Sequence, residues 1–296
     1  QGSWQSKENP SKRQTTSTLH LPTDLEAMVT ADSDHPAPFV WLLFILSPIT
    51  FLLLTVITDA PFGKLYYPRS IWGPSLPPRV AWALFESPNL VWCIWSLIHR
   101  RPEVLGKGTS LALNANSILL IAFVAHYVNR SVLYPMRMSR NSKKVPLAVA
   151  ASGFSFCALN GYIQTSALCI YHPFHPSHHT TPQFIAGMIL FLIGMAVNIH
   201  SDSILRRLRD KGGAGGGGYQ IPRGGLFEYV SCANLSGELL EWTGFALAGW
   251  PSHAPLAFAV YSFANLVPRA LSQHSWYLEK FEEYPKGRKA VVPFLL

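Results

Sequence analysis

The residues of this chain that could do chemistry are polar side chains embedded in apolar runs. Glu86 stands in RVAWALFESPNLVW, among Trp82, Leu84, Phe85 and Trp92. Desolvation there disfavours a charged carboxylate and favours the protonated acid. A neutral acid can donate a hydrogen bond, which is what polarising the ketone oxygen of an apolar substrate requires. The competing reading is an acid that reaches the interface or pairs with an arginine. In AFVAHYVNRSVLYP, His126 and Tyr127 lie four and three residues before Arg130, so all three fall near one face of a helix. A tyrosine keeps its proton at neutral pH and could be a second donor to the same oxygen; otherwise Tyr127 makes an interhelical hydrogen bond.

A third group, in MAVNIHSDSILRRLRDK, places Asn198, Asp202, Arg206 and Arg209 along one helical stripe. Asn and Asp suit a ribose or an adenine, and arginines suit phosphate in bidentate geometry. A basic membrane anchor would explain the arginines but not Asn198 and Asp202. A fourth, in YVSCANLSGELLEW, puts Asn234, Glu238 and Glu241 on one face, where they need cationic or hydroxyl partners such as Arg269 or the arginine stripe. A structural ion-pair network is the alternative. His172, His175, His178 and His179 crowd HPFHPSHHTTP, but its prolines restrict it and it falls on the opposite side from the stripe, so no metal site is expected. His200 and His274 are nearer the stripe. Cys93, Cys157, Cys169 and Cys232 stand singly in apolar surroundings and read as buried thiols.

The elements that must position these groups follow from composition. The chain has 296 residues, 49% hydrophobic and only 14% charged, against roughly 25% charged in a soluble domain. Apolar stretches at 39–58, 80–98, 109–134, 145–170, 183–204, 236–250 and 254–271 approach or exceed the ~20 residues that cross a bilayer. The expectation is an all-α integral membrane bundle of seven transmembrane helices, kinked in the first at Pro48. Polar groups at depth require the helices to face one another. Seventeen of the 24 Lys and Arg fall on the side reached after odd-numbered spans, which makes that side cytosolic, the C-terminus cytosolic and the N-terminus lumenal. The net charge of +8 is thereby explained as orientation, and no stacking platform or zinc-finger spacing points to nucleic acid. Residues 1–36 are polar and read as a disordered tail. The tract KGGAGGGG at 211–218 reads as a linker; Tyr-Gln follows it, where a phosphate-binding loop needs Lys-Ser/Thr.

Read together, NIHSDSILRRLR, YQIPRGGLFEYVSCANLSGELLEW and HSWYLEKFEEYPKGRKAVVPFLL, with NGYIQ, AHYVNR and AWALFESP upstream, closely resemble the steroid 5-alpha-reductases, their plant members included. The resemblance implies a seven-helix enzyme of the endoplasmic reticulum membrane over residues 37–296. NADPH would bind mainly within about 145–296, and the 4,5 double bond of a 3-oxo-4-ene steroid or sterol would be reduced. It implies that Glu86 and Tyr127 hold the 3-oxo group. It assigns Asn198, Asp202, Arg209, Tyr219, Asn234, Arg269 and Tyr277 to the cofactor, with no metal. Phe85 stands where animal members usually have Gln, and Gln273 where they have His, departures that resemble plant or algal members. Alternatives are an enoyl-CoA or polyprenol reductase of the same superfamily, or a non-catalytic sterol-binding membrane protein. The phosphate-suited stripe speaks against the last.

Overall fold

The computed structural model describes residues 36–58, 63–65, 72–99, 113–211 and 218–296. The predicted tail, apart from Pro36, and most of the glycine tract lie outside the described residues. Charge-poor runs with few breakers satisfy their backbone groups internally, and the described residues form seven long α-helices. They are α1 (Ala37–Leu52), α2 (Pro78–His99), α3 (Ala115–Val128), α4 (Leu147–Ser166), α5 (Pro182–Lys211), α6 (Ala233–Ala248) and α7 (His253–Lys280). Each falls on one of the predicted apolar stretches. α1 continues through Pro48 and widens into a π-turn at Leu53–Ile57, with Ser47 Oγ donating to the Leu43 carbonyl at 2.7 Å. α3 opens on a capping box, in which Asn114 accepts from the Ser117 amide and Ser117 accepts from the Asn114 amide. It then passes through a π-turn at Asn129–Leu133 and on to Arg137. Such turns re-aim side chains and recur at functional sites; this one holds Arg130 and buries it. The described strands are one short antiparallel pair, Ser75↔Pro146 and Leu76↔Val145.

Contacts between helix ends sort into two rims. At one, Trp41 near the start of α1 stacks on His253 at the start of α7, and Asn116 at the start of α3 donates to the carbonyls of Leu168 and His172 beyond α4. There too His178 and Gln183 reach the Ala248 and Leu247 carbonyls at the end of α6. At the other rim, the strand pair joins the starts of α2 and α4, Arg79 donates to the Met138 carbonyl after α3, and Asn141 donates to the Arg209 carbonyl at the end of α5. Lys64, beyond α1, lies over the ring of Tyr277 in the last turn of α7. Neighbouring helices therefore run up and down. Among the described residues, Ala37–Ile57, Ala115–Arg137 and Pro182–Lys211 are long and apolar enough to cross a membrane.

The closest packing is between α5 and α6, along glycines spaced seven apart on each helix. A methyl group on Gly187 would meet the Ala248 amide at 2.5 Å, and one on Gly237 the Asn198 amide at 2.5 Å; Gly194 and Gly244 press on the facing backbone in the same way. Small residues let the two backbones touch, as in membrane bundles, and this contact sets Asn198 beside Asn234. Gly194→Val is expected to force the helices apart at a cost of at least about 1–3 kcal/mol, read as a lower thermal midpoint of the detergent-solubilised protein. Gly161 performs the same service between α4 and α2, where a Cβ would lie 2.9 Å from the Asn89 Cα.

Candidate active site

Arg130 is the hub. Its guanidinium faces three carboxylates from three other helices: Asp202 of α5 at 3.2 Å, Glu86 of α2 at 3.6 Å and Glu238 of α6 at 3.9 Å. The rings of Trp82 and Tyr134 each lie 5.0 Å from it, so its planar cation is stacked as well as paired. Arg130, Glu86 and Asp202 are buried, at 8%, 9% and 8% exposure, and Glu238, Trp82 and Tyr134 are partly so. One turn earlier on α3, His126 Nδ1 lies 2.8 Å from Glu241 Oε1, a fully buried pair packed on Trp242.

Tyr127 reaches its surroundings through α4. Its hydroxyl accepts from Asn160 Nδ2 at 3.4 Å; Gln164 Nε2 donates to Asn160 Oδ1 at 3.2 Å and to the Ala254 carbonyl at 2.9 Å. Three residues before Asn160, the Cys157 thiol points at Glu86 Oε2, 3.7 Å away. Cys157, Asn160 and Gln164 thus line one face of α4 between Glu86 and Tyr127. On α5, Asn198 Nδ2 donates to the Asn234 carbonyl at 2.9 Å.

Toward the second rim stand aromatic and basic groups. Tyr219 packs edge-on against Trp276 at 4.8 Å, and Lys143 lies over the Tyr219 ring. Tyr277 is buried beneath Lys64, whose ammonium is 3.8 Å from the ring centroid. Burial pushes the Lys64 amine down to about 8, helped by Arg209 and opposed by the Cys232 thiol. Arg209 stands beside the Tyr134 hydroxyl, and Arg269 donates to Asn265 Oδ1 at 3.1 Å.

The loop that leads into α6 is clamped by the C-terminal segment. Val230 bridges Lys289 in parallel, and the Ser231 and Cys232 amides donate to the Lys289 and Ala290 carbonyls at 2.8 and 3.0 Å. Arg288, buried, donates to the Pro222 carbonyl at 2.9 Å and pairs with Glu228 at 3.4 Å. The Gly224 amide donates to Glu228, and that bond, with Arg288, holds the carboxyl below its usual range. Gly224 and Gly225 take φ of 92° and 56°, which glycine alone adopts freely.

A sequence model of the 3-oxo-5-alpha-steroid 4-dehydrogenase family matches residues 143–296. The chain is 43% identical over 238 residues to 3-oxo-5-alpha-steroid 4-dehydrogenase 1 of Rattus norvegicus, covering 80% of this chain and 86% of the relative. It is 46% identical over 224 residues to the Mus musculus enzyme of the same name, covering 76% and 84%. It is 44% identical over 260 residues to the steroid 5-alpha-reductase DET2 of Solanum lycopersicum, covering 86% and 95%. The chain belongs to the steroid 5-alpha-reductase family.

The family model takes in the α5 stripe, the clamped loop and α7, but begins after Glu86, Tyr127 and Arg130. A match over 86% of the chain necessarily runs across those three as well. In this steroid 5-alpha-reductase the structure brings Glu86 and Asp202 onto one guanidinium and Asn198 onto Asn234. Tyr127 is joined to them through α4 rather than directly, while Tyr219 and Tyr277 form a separate group at the rim with Lys64 and Lys143. Arg130, Glu238 and Glu241 were conspicuous in the sequence as charges in apolar stretches without assigned roles. Asn160 and Gln164 were not singled out, although an Asn and a Gln four apart in an apolar stretch are themselves a signal, and Cys157 was read only as a buried thiol. Of the histidines of HPFHPSHHTTP, His178 serves packing: Phe174 stacks on it at 4.5 Å, and it bonds the Ala248 carbonyl.

Proposed function

We propose that this protein reduces the 4,5 double bond of 3-oxo-4-ene steroids or sterols with NADPH. In this reading it is a seven-span enzyme of the endoplasmic reticulum membrane, residues 37–296 forming one domain, with cofactor entering from the cytosol. The observation that carries the reading is the hub: Arg130 ties Glu86, suited to a ketone, to Asp202, in the stripe suited to a dinucleotide. The sorting of helix ends into two rims supports seven crossings, because charges and helix directions then agree on sidedness.

The residues fit a reduced dinucleotide by chemistry. Arg209, Lys64 and Lys143 supply cationic donors beside Tyr219, Trp276 and Tyr277, a combination suited to phosphates and an aromatic base. Deeper in, Gln164 Oε1 and Glu241 Oε2 are buried acceptors without hydrogen-bond partners among the described residues, capacity suited to a carboxamide or hydroxyl. Asn198, Asp202, Asn234, Arg269 and Tyr277 complete the set. A nicotinamide held there supplies a hydride.

Three acids around one guanidinium cannot all be charged at low cost. Asp202 has the hydrogen-bonded geometry with Arg130, whereas Glu86 lies 3.6 Å from the guanidinium without a hydrogen bond to it, so Glu86 holds the proton in this mechanism. Glu86 and Tyr127 then donate to the 3-oxo oxygen. As hydride adds at C5, the C4–C5 π pair moves toward that oxygen, and these two donors stabilise the enolate. C4 takes a proton from solvent, which balances the reduction. Phe123, Trp242 and Phe258 pack around Tyr127 on its apolar side, which leaves its hydroxyl facing Asn160 and the site.

The test is incubation of the purified protein and NADPH with several 3-oxo-4-ene sterols, an enoyl-CoA and a polyprenol, followed by mass spectrometry. A gain of two hydrogens on the enones is expected; reaction confined to the acyl-CoA or polyprenol, or none, refutes the assignment. Arg209→Ala is expected to raise the KM for NADPH about tenfold while that for NADH barely changes, as for loss of one charged hydrogen bond. Equal changes for the two cofactors would remove Arg209 from the phosphate site.

A further inference from the structure

The end of the chain carries apolar side chains that the fold leaves uncovered. Phe294 is 81% exposed and Leu295 79%, and Phe294 meets the half-exposed Tyr229 ring edge to face at 5.6 Å. Their display is built into the fold. Phe294 has a φ of 65°, a left-handed backbone that bulky residues rarely adopt. The turn around it is closed by the Val291 and Val292 amides donating to the Leu296 carbonyl at 2.8 and 2.7 Å, and by the Leu296 amide donating to the Val292 carbonyl at 3.1 Å.

Helix lengths give the depth of this turn. α6 has sixteen residues, and at 1.5 Å each it spans about 24 Å, short of the roughly 30 Å of a bilayer's hydrocarbon. Its last residues are held at the lumenal rim by His178 and Gln183. Its first residue therefore reaches no further than the cytosolic edge of the hydrocarbon, and Tyr229–Cys232, directly before it, lie at that edge with their partners Lys289 and Ala290. α7, with 28 residues, is about 42 Å long and carries Lys280 well past the edge. The chain must then come back. Glu282 and Glu283, both exposed, stand at the far point; Lys286 and Lys289 lie on the return; Phe294–Leu296 follow the paired segment. Acids are far from the membrane, bases nearer, and apolar groups at its surface.

We propose that Phe294, Leu295 and Leu296, together with Tyr229, insert into the headgroup–acyl boundary of the cytosolic leaflet, with Lys286 and Lys289 facing anionic headgroups. This interfacial anchor seats the segment that clamps the start of α6, and so steadies Asn234 and Glu238. It rests on the seven-span reading above.

The experiment keeps the two readings apart. Full-length protein carrying Leu295→Cys is labelled with a nitroxide in nanodiscs of phosphatidylcholine with a minority of phosphatidylserine. The four native cysteines are buried, which directs the label to the exposed position. Accessibility to oxygen relative to a water-soluble nickel chelate is compared with Glu282→Cys and with Ile189→Cys on the exposed flank of α5. The expected ratio at 295 is several-fold above that at 282 and below that at 189, as befits the boundary. A ratio at 295 equal to that at 282, with 189 still lipid-like, overturns the anchor and leaves the bundle reading intact. Protection of 295 from both reagents overturns it as well, since the segment then seats on protein. An aqueous ratio at 189 removes the spanning reading and the anchor with it.

Discussion

Tyr127→Phe is expected to lower turnover about a hundredfold, and Glu86→Gln by about ten- to a hundredfold, with the dissociation constant for NADPH unchanged in both. Phe deletes the phenol's donor outright, whereas Gln keeps the shape of Glu86 and a weaker one, hence the order. Because both donors act on one oxygen, the double variant should fall short of the product of the two losses. The thermal midpoint adds a second readout. If Glu86 is the neutral member of the acid cluster, the isosteric amide leaves the charge balance around Arg130 intact and the midpoint hardly moves. If Glu86 is instead the anion that Arg130 needs, Glu86→Gln destabilises the bundle, and the mechanism proposed above fails along with it. Loss of NADPH affinity in parallel with turnover would place these residues on the cofactor instead.

The helices were legible because apolar runs of near-membrane length leave the backbone no other way to satisfy its own polar groups. Each of the seven predicted stretches carries a long helix among the described residues. What the sequence could not convey is the pairing among them. Glu86, Arg130, Asp202 and Glu238 are each conspicuous as charges in apolar company, but their meeting depends on two features that periodicity does not encode. One is the π-turn at Asn129–Leu133, which breaks the regular spacing at Arg130 itself. The other is the glycine seam of α5 and α6, which brings two backbones into contact. Cys157 illustrates the same limit: read singly it is a small buried hydrophobe, and only the close approach of α2 and α4 at Gly161 turns it toward Glu86. The clamp of Lys289 on Val230 joins segments whose sequences carry no mutual signal.

Arg130→Met is expected to be the most damaging single change in the bundle. The guanidinium is buried and serves Asp202, Glu86 and Glu238 together. Removing it leaves carboxylates facing one another out of water, and breaking a buried pair in this manner costs about 3–5 kcal/mol. Stacking between Trp82 and Tyr134 adds to the loss, since Met fills the gap without its charge or its plane. Arg130→Lys should recover only part, because a point charge cannot address three acids from one plane. The decisive comparison is compensation. Adding Asp202→Asn and Glu238→Gln to Arg130→Met removes the charges left behind and should restore the thermal midpoint most of the way, while activity stays lost because Asp202 is part of the proposed cofactor stripe. If the triple variant is no more stable than Arg130→Met alone, the acids were never held by Arg130, and the hub on which the functional reading depends does not operate in the folded protein.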